Sequence, residues 1–175
     1  MRPSEIILRR DFPAGWRFVL VIAEAPPGLS GAAEHNAFAS LGESRAITDR
    51  LCRIVQLQLL PALVEEDIVA FGFAVSEIDR QTGLLFSAAQ GGVYGNLASD
   101  IIDCLADAGA YGIGQSSWGP CLYALVDDAN EAAVLTAARG FLARRSKPGQ
   151  VFVARARNAG ADILVTEEGG SPPVP

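Results

Sequence analysis

A single histidine, His35, and three cysteines, Cys52, Cys104 and Cys121, are all the imidazole and thiol chemistry these 175 residues contain. The cysteines are odd in number, far apart and set among apolar residues, so they define neither a disulfide framework nor a metal site, and buried free thiols are expected. One imidazole excludes a His/Cys zinc cluster and a Ser-His-acid triad. His35 itself suits the exposed side of a helix. A net charge of −6 with no lysine- or arginine-rich block removes the phosphate attraction on which nucleic-acid binders rely. Met1–Leu8 has no apolar signal-peptide core, and Phe18–Ala23 is far shorter than the ~20 residues that span a bilayer. The expectation is a cytoplasmic protein with neither nucleic acid nor membrane as partner.

What the chain does have is apolar mass. Half of it is hydrophobic and 19% charged, far from the signature of disorder, and a chain of this length buries about 70% of the surface its unfolded form exposes. One domain over residues 1–168 and a loose tail over 169–175 are expected. Ile6–Arg10 and Trp16–Ala23 are β-rich runs separated by turn residues at 11–15, and they suit neighbouring strands. After the prolines at 26 and 27, Ser30 offers a helix cap ahead of Glu34. Ile47, Leu51, Ile54, Val55 and Leu59 then follow helical spacing until Pro61 interrupts. Asp67 opens a further helix with Ile68, Phe71, Val75 and Ile78 on one face and a stop at Thr82-Gly83.

A second amphipathic stretch, Leu97 to Leu105, leads to a glycine-rich segment, 112–120. The short apolar run Leu122–Val126 follows, and Asp128 with Glu131 resembles a capping box for a helix through Arg145. Val151–Arg157 alternates sides, and Asn158-Ala-Gly160 turns the chain into 162–165. Two long helices between early and late strands, without strict β-α alternation, predict an α+β domain with a largely antiparallel sheet, specifically a ferredoxin-like plait.

The segment Gly112-Ile-Gly-Gln-Ser-Ser-Trp-Gly-Pro120 combines three glycines with two hydroxyls. Glycine permits φ > 0 and close approach, and successive amides in such a turn make an anion-attracting concavity. The same glycines equally suit a plain helix-to-strand connection. No Gly-Lys-Ser/Thr follows, and the helix-then-strand order is the reverse of a Walker loop or dinucleotide fingerprint.

Together with Trp16–Ile22, Ser30–Glu34 and Gln90-Gly91-Gly92, this segment resembles the C-terminal half of the beta-ribofuranosylaminobenzene 5'-phosphate synthases, a branch of the GHMP kinase superfamily. The resemblance runs from Ile6 to Val165. Trp118 marks the branch, because a kinase of the superfamily more often carries glycines at positions 116–118. The resemblance implies a GHMP C-terminal-type domain. It also implies joining of phosphoribosyl pyrophosphate to 4-aminobenzoate or 4-hydroxybenzoate, with loss of pyrophosphate and carbon dioxide, in methanopterin biosynthesis, with magnesium accompanying the pyrophosphate. The superfamily's second motif, a Gly-Leu-Gly-Ser-Ser phosphate loop, is not in this chain, so a partner is implied: the earlier half, or a second copy with an exposed apolar surface between the two.

Leaving pyrophosphate concentrates negative charge that preorganised donors stabilise. Gly112, Gly114, Gln115, Ser116, Ser117 and Gly119 are the candidate donors. Trp118 and Tyr94 offer flat faces for an aromatic acid, unless the tryptophan simply packs the loop. Glu34 is either a carboxylate facing the site or a first-turn partner of a helix dipole. No residue is assigned to metal. Two other readings stay open: half of a GHMP-type small-molecule kinase that uses ATP, and a non-catalytic interaction module.

Overall fold

The computed structural model describes residues 5–24, 28–41, 44–94, 98–145 and 149–163. Its frame is a four-stranded antiparallel sheet of β1 (Arg17–Ala23), β2 (Gly112–Gln115), β3 (Cys121–Val126) and β4 (Gly149–Arg155), in the order β2-β3-β1-β4. That order is the ferredoxin-like plait expected above. β1 occupies the middle because its β-branched run can be covered on both edges and both faces. Val21 lies opposite Leu122 on one side and Val151 on the other.

Period-two alternation of β1 sends Val19, Val21 and Ala23 to one face. There α5 (Ala98–Asp107) and α6 (Glu131–Ala143) cover them with Ile101, Leu105, Val134, Ala138 and Leu142. Each such aliphatic side chain contributes about 1.5–3 kcal/mol on full burial. A second cluster forms around Leu125 from Phe12, Trp16, Phe18 and Phe71. The rings of Trp16 and Phe71 lie 5.0 Å apart, and Phe12 meets Trp16 edge-on at 87°.

The remaining helices are α1 (Gly31–Ser40), α2 (Arg45–Ile54), α3 (Leu60–Glu65) and α4 (Ile68–Gln90). α4 starts where Asp67 Oδ1 accepts the amides of Val69 and Ala70 at 3.0 and 2.9 Å, an N-cap that satisfies two orphan donors. It does not stop at Thr82-Gly83. Gly83 is buried and a Cβ there would strike the Val93 carbonyl, so this glycine serves packing, and the helix ends at Gly91 with φ 81°. Pro61 does not end its helix either. It sits in the first turn of α3, where no amide is required, and a π-helical stretch, Val55–Leu59, joins that turn to α2.

Other expectations are corrected. Residues 6–10 form no strand, and β1 pairs with β3 and β4 instead. Asp128 and Glu131 do not cap α6, whose N-cap is Asn130; both acids pair with the buried guanidinium of Arg17, Glu131 at 2.7 Å. Their charge is drawn to Arg17 because a buried cation needs anionic partners. Cys52 is exposed, while Cys104 and Cys121 are half-buried, and all three are free. The tail at 169–175 lies outside the described residues, as do residues 164 and 165. An apolar strip, Leu57, Val64, Val69 and Phe73, is exposed on α3, α4 and the π-helical stretch. No described helix is long and apolar enough to cross a membrane.

The outer edge of β2 is covered by α4 rather than by another strand. Ile113 N–H donates to Ser76 Oγ at 2.8 Å, and Gln115 N–H donates to Asp79 Oδ2 at 3.0 Å. Backbone meets backbone at Gly72 and Gly112, where a Cβ on either would collide with the other chain segment. Gly72→Ala should therefore cost about 1–3 kcal/mol in urea unfolding, as overpacking does. Gly15→Ala, whose Cβ would meet nothing within 4 Å, should stay within about 0.5 kcal/mol; equal effects of the two would contradict this packing.

Candidate active site

Where α4 ends, a cavity of about 500 Å³ opens between that helix, the Val93-Tyr94 segment, the turn joining β2 to β3, and α1. Its described walls include five rings, Phe38 from α1, Phe86 from α4, Trp118 from the turn, Tyr94 and Tyr123, beside aliphatic side chains such as Val75 and Ile78. Phe86 and Trp118 meet edge-on with centroids 4.7 Å apart, and Phe38 meets Phe86 at 5.3 Å. Trp118 is fixed at both ends. Its Nε1–H donates to Glu34 Oε1 at 3.0 Å, and its backbone lies where a Cβ on Gly28 would have to be.

Asp79 is the one carboxylate among the described residues of the lining. Helical spacing puts it four residues after Val75, on the apolar stripe, and the absence of a side chain at Gly114 makes its room, since a Cβ there would lie 2.6 Å from Asp79 Cγ. Burial pushes its carboxyl up to about 6, against the Gln115 amide and the Tyr123 and Tyr94 hydroxyls, which bond to it and favour the charged form. Burial also drives Tyr94 up to about 12, with the Asp79 charge adding to it, and raises Tyr123 for the same two reasons. Two residues earlier, Glu77 faces outward and is held at about 2, chiefly by Arg80 and further by Gln81 and Arg50.

The predicted site residues divide. Tyr94, Gln115, Ser117 and Trp118 line the cavity, and Glu34 reaches it through Trp118. Gly112 and Gly114 are not in a loop and have no positive φ: they are buried β2 residues whose missing side chains admit α4, Asp79 and Tyr123. Gly119 does have positive φ, 72°, and Ser117 shares that region at 53°. Several amides of the segment are already engaged. Ser116 N–H donates to the Cys121 carbonyl at 2.8 Å and Gly119 N–H to the Ser116 carbonyl at 3.0 Å. Gln115 Nε2 donates to the Ser117 carbonyl at 3.0 Å. The hydroxyl-bearing Ser116 and Ser117 are exposed. Asp79, Tyr123, Phe38 and Phe86 escaped the sequence reading, and the signal for Asp79 was a carboxylate on an otherwise apolar helix face.

Residues 59–143 match the family described as GHMP kinases C terminal. The antiparallel sheet with its packed helices is the fold of a GHMP kinase C-terminal domain. Within that class the chain is similar to the beta-ribofuranosylphenol 5'-phosphate synthase of Methanothermobacter thermautotrophicus, with 34% identity over 165 residues, 93% of this chain and 47% of that protein. The synthase of the same name from Archaeoglobus fulgidus gives 34% over 165 residues, 94% of this chain and 49% of that one. The chain thus spans about half the length of the curated relatives it matches. Among solved structures, homoserine kinase from Cytophaga hutchinsonii superposes with a TM-score of 0.63 at 16% identity, over 84% of this chain and 44% of that one. Mevalonate kinase from L. major, in complex with R-mevalonate, gives 0.57 at 15%, over 80% and 43%.

Asp79 links pH to stability with a definite sign. Its folded-state value lies above its ordinary one, so it binds a proton more tightly when folded; its contribution is fully present below about pH 4 and is lost as pH rises to about 6. Glu77 acts oppositely, losing its contribution as pH falls from about 4.5 to about 2. The difference in unfolding free energy between wild type and Asp79→Asn, followed from pH 3.5 to 7.5, should change between pH 4 and 6 in favour of the variant. Parallel curves would refute the assignment.

Proposed function

We propose that this chain supplies one half of a cytoplasmic phosphoribosyltransferase of the beta-ribofuranosylphenol 5'-phosphate synthase type. The observation that carries the reading is the 34% identity to two such synthases over nearly the whole chain. The ring-walled cavity supports it, since flat apolar surfaces and a few polar groups suit an aromatic acid such as 4-hydroxybenzoate or 4-aminobenzoate. The second substrate is phosphoribosyl pyrophosphate, and the product leads toward methanopterin. The remaining half of the enzyme, present in the relatives' length, supplies the rest of the site.

Trp118 and Tyr94 are assigned to hold the ring, with Phe86 behind Trp118. Glu34 fixes the indole rather than touching substrate. The exposed hydroxyls of Ser116 and Ser117 are assigned to a phosphate group and to charge on the leaving pyrophosphate, while Gln115 and Gly119 hold the shape of the turn through bonds already made. Magnesium is proposed to travel with that pyrophosphate. Asp79 is an unsuitable ligand for it, being desolvated and already bonded to an amide and two hydroxyls, and the described residues contain no group of three His, Cys, Asp or Glu able to hold a metal. The ion's protein ligands would come from elsewhere in the complete enzyme.

A kinase reading is the alternative suggested by the fold neighbours, and titration calorimetry separates the two. With the complete enzyme, phosphoribosyl pyrophosphate and an aromatic acid should bind, and preference for ATP would overturn the proposal. Trp118→Ala should weaken binding of 4-hydroxybenzoate about tenfold, equivalent to ~1.4 kcal/mol and in line with loss of one aromatic contact. An unchanged affinity would show that the indole only packs the turn.

A further inference from the structure

We infer that Asp79 is a catalytic base that takes the proton from the 4-hydroxyl or 4-amino group of the acceptor ring as the ring attacks the sugar. The inference rests on the phosphoribosyl-transfer reading above and adds to it the group that makes the ring a nucleophile. An aromatic ring is a poor carbon nucleophile until the heteroatom opposite the attacking carbon can release its proton and push its electron pair inward. A base must therefore sit where the ring's far end comes to rest, inside the apolar pocket and out of bulk water.

Asp79 is the carboxylate that the described lining offers, and it is preset there. Oδ2 accepts the Gln115 amide at 3.0 Å, which stops the side chain from turning away. The bare Cα of Gly114 leaves it room. An ionised carboxylate has about four acceptor sites, of which the Gln115 amide takes one, and the Tyr94 and Tyr123 hydroxyls favour its charged form, so the group can still accept from a donor on the ligand. The titratable groups facing it are those two tyrosines, both kept protonated by burial. Glu77 and Arg80, neighbours on α4, pair with each other at 2.8 Å. Desolvation makes Asp79 a stronger base than an exposed carboxylate while leaving it ionised at neutral pH.

The step balances. The ring carbon bearing the carboxylate forms a bond to the anomeric carbon of the ribose as the bond from that carbon to the pyrophosphate oxygen breaks, its electron pair leaving with pyrophosphate. The proton of the 4-substituent passes to Asp79, giving a neutral cyclohexadienone, or the corresponding imine. The bond to the carboxylate then breaks, carbon dioxide departs, its electron pair restores the aromatic ring, and Asp79 returns the proton to the 4-substituent. No oxidant or reductant enters.

The test uses the complete enzyme with phosphoribosyl pyrophosphate and 4-hydroxybenzoate. Asp79→Asn keeps an oxygen for the Gln115 amide. It should lower kcat by 10²–10⁴-fold, the range of a lost general base, with KM within threefold, and should abolish the acid limb of the kcat profile near pH 6. Tyr123→Phe removes one donor from the carboxylate and should shift that limb to higher pH. Retention of kcat and of the acid limb in Asp79→Asn, or an unmoved limb in Tyr123→Phe should the first variant not fold, overturns the inference while the functional reading stands. If the wild type neither binds an aromatic acid by calorimetry nor consumes phosphoribosyl pyrophosphate, the functional reading itself falls and this inference with it.

Discussion

The hydrogen bonds from the edge of β2 to α4 hold the rest of the structure in place. A free sheet edge presents unpaired amides that must be satisfied or hidden. Here a helix does the work of a fifth strand: Ser76 and Asp79, three residues apart on α4, accept the amides of Ile113 and Gln115, two residues apart on the strand. The match requires helix and strand backbones to touch, which only glycines at 72 and 112 allow. Once this seam is formed, the end of α4 and the turn after β2 face each other, and the cavity is the space left between them.

Asp79 and Glu77 show how one helix can set two carboxylates apart. They stand two residues apart and so point to different sides. Glu77, though largely covered, meets two arginines and is held at about 2, whereas Asp79 meets apolar walls and rises to about 6. Environment alone separates their proton affinities, the pattern by which acid and base roles are distributed in active sites. Arg17 shows the complementary solution, a buried cation at the sheet's end neutralised by Glu131 and Asp128.

The plait was legible because β1 alternates with period two and α4, α5 and α6 repeat their apolar positions with helical spacing, signals that tertiary packing reinforces. Breaks were read less well. Gly83 and Pro61 carry the residue types of helix ends, yet a tertiary contact at Val93 claims the first and a first-turn position accommodates the second. The glycines of 112–120 lie beside the cavity, but the local reason read from them does not hold: two of the three admit a helix and a carboxylate rather than turn the backbone. Asp79 could not be assigned from spacing, because its significance depends on Gln115, Tyr94 and Tyr123, which lie distant in sequence.

The bond from Trp118 to Glu34 joins residues 84 apart in the chain. Such a contact closes a long loop, and the entropy of closure must be met before the contact returns anything. The sheet and the α4 seam can form without it; the aromatic wall cannot. The cavity therefore depends for its wall on a contact that neither the sheet nor the α4 seam supplies. A ring-shaped ligand that fills it binds the folded wall and not the open one, so it acts as a missing core residue whose occupancy the cell, rather than the sequence, controls.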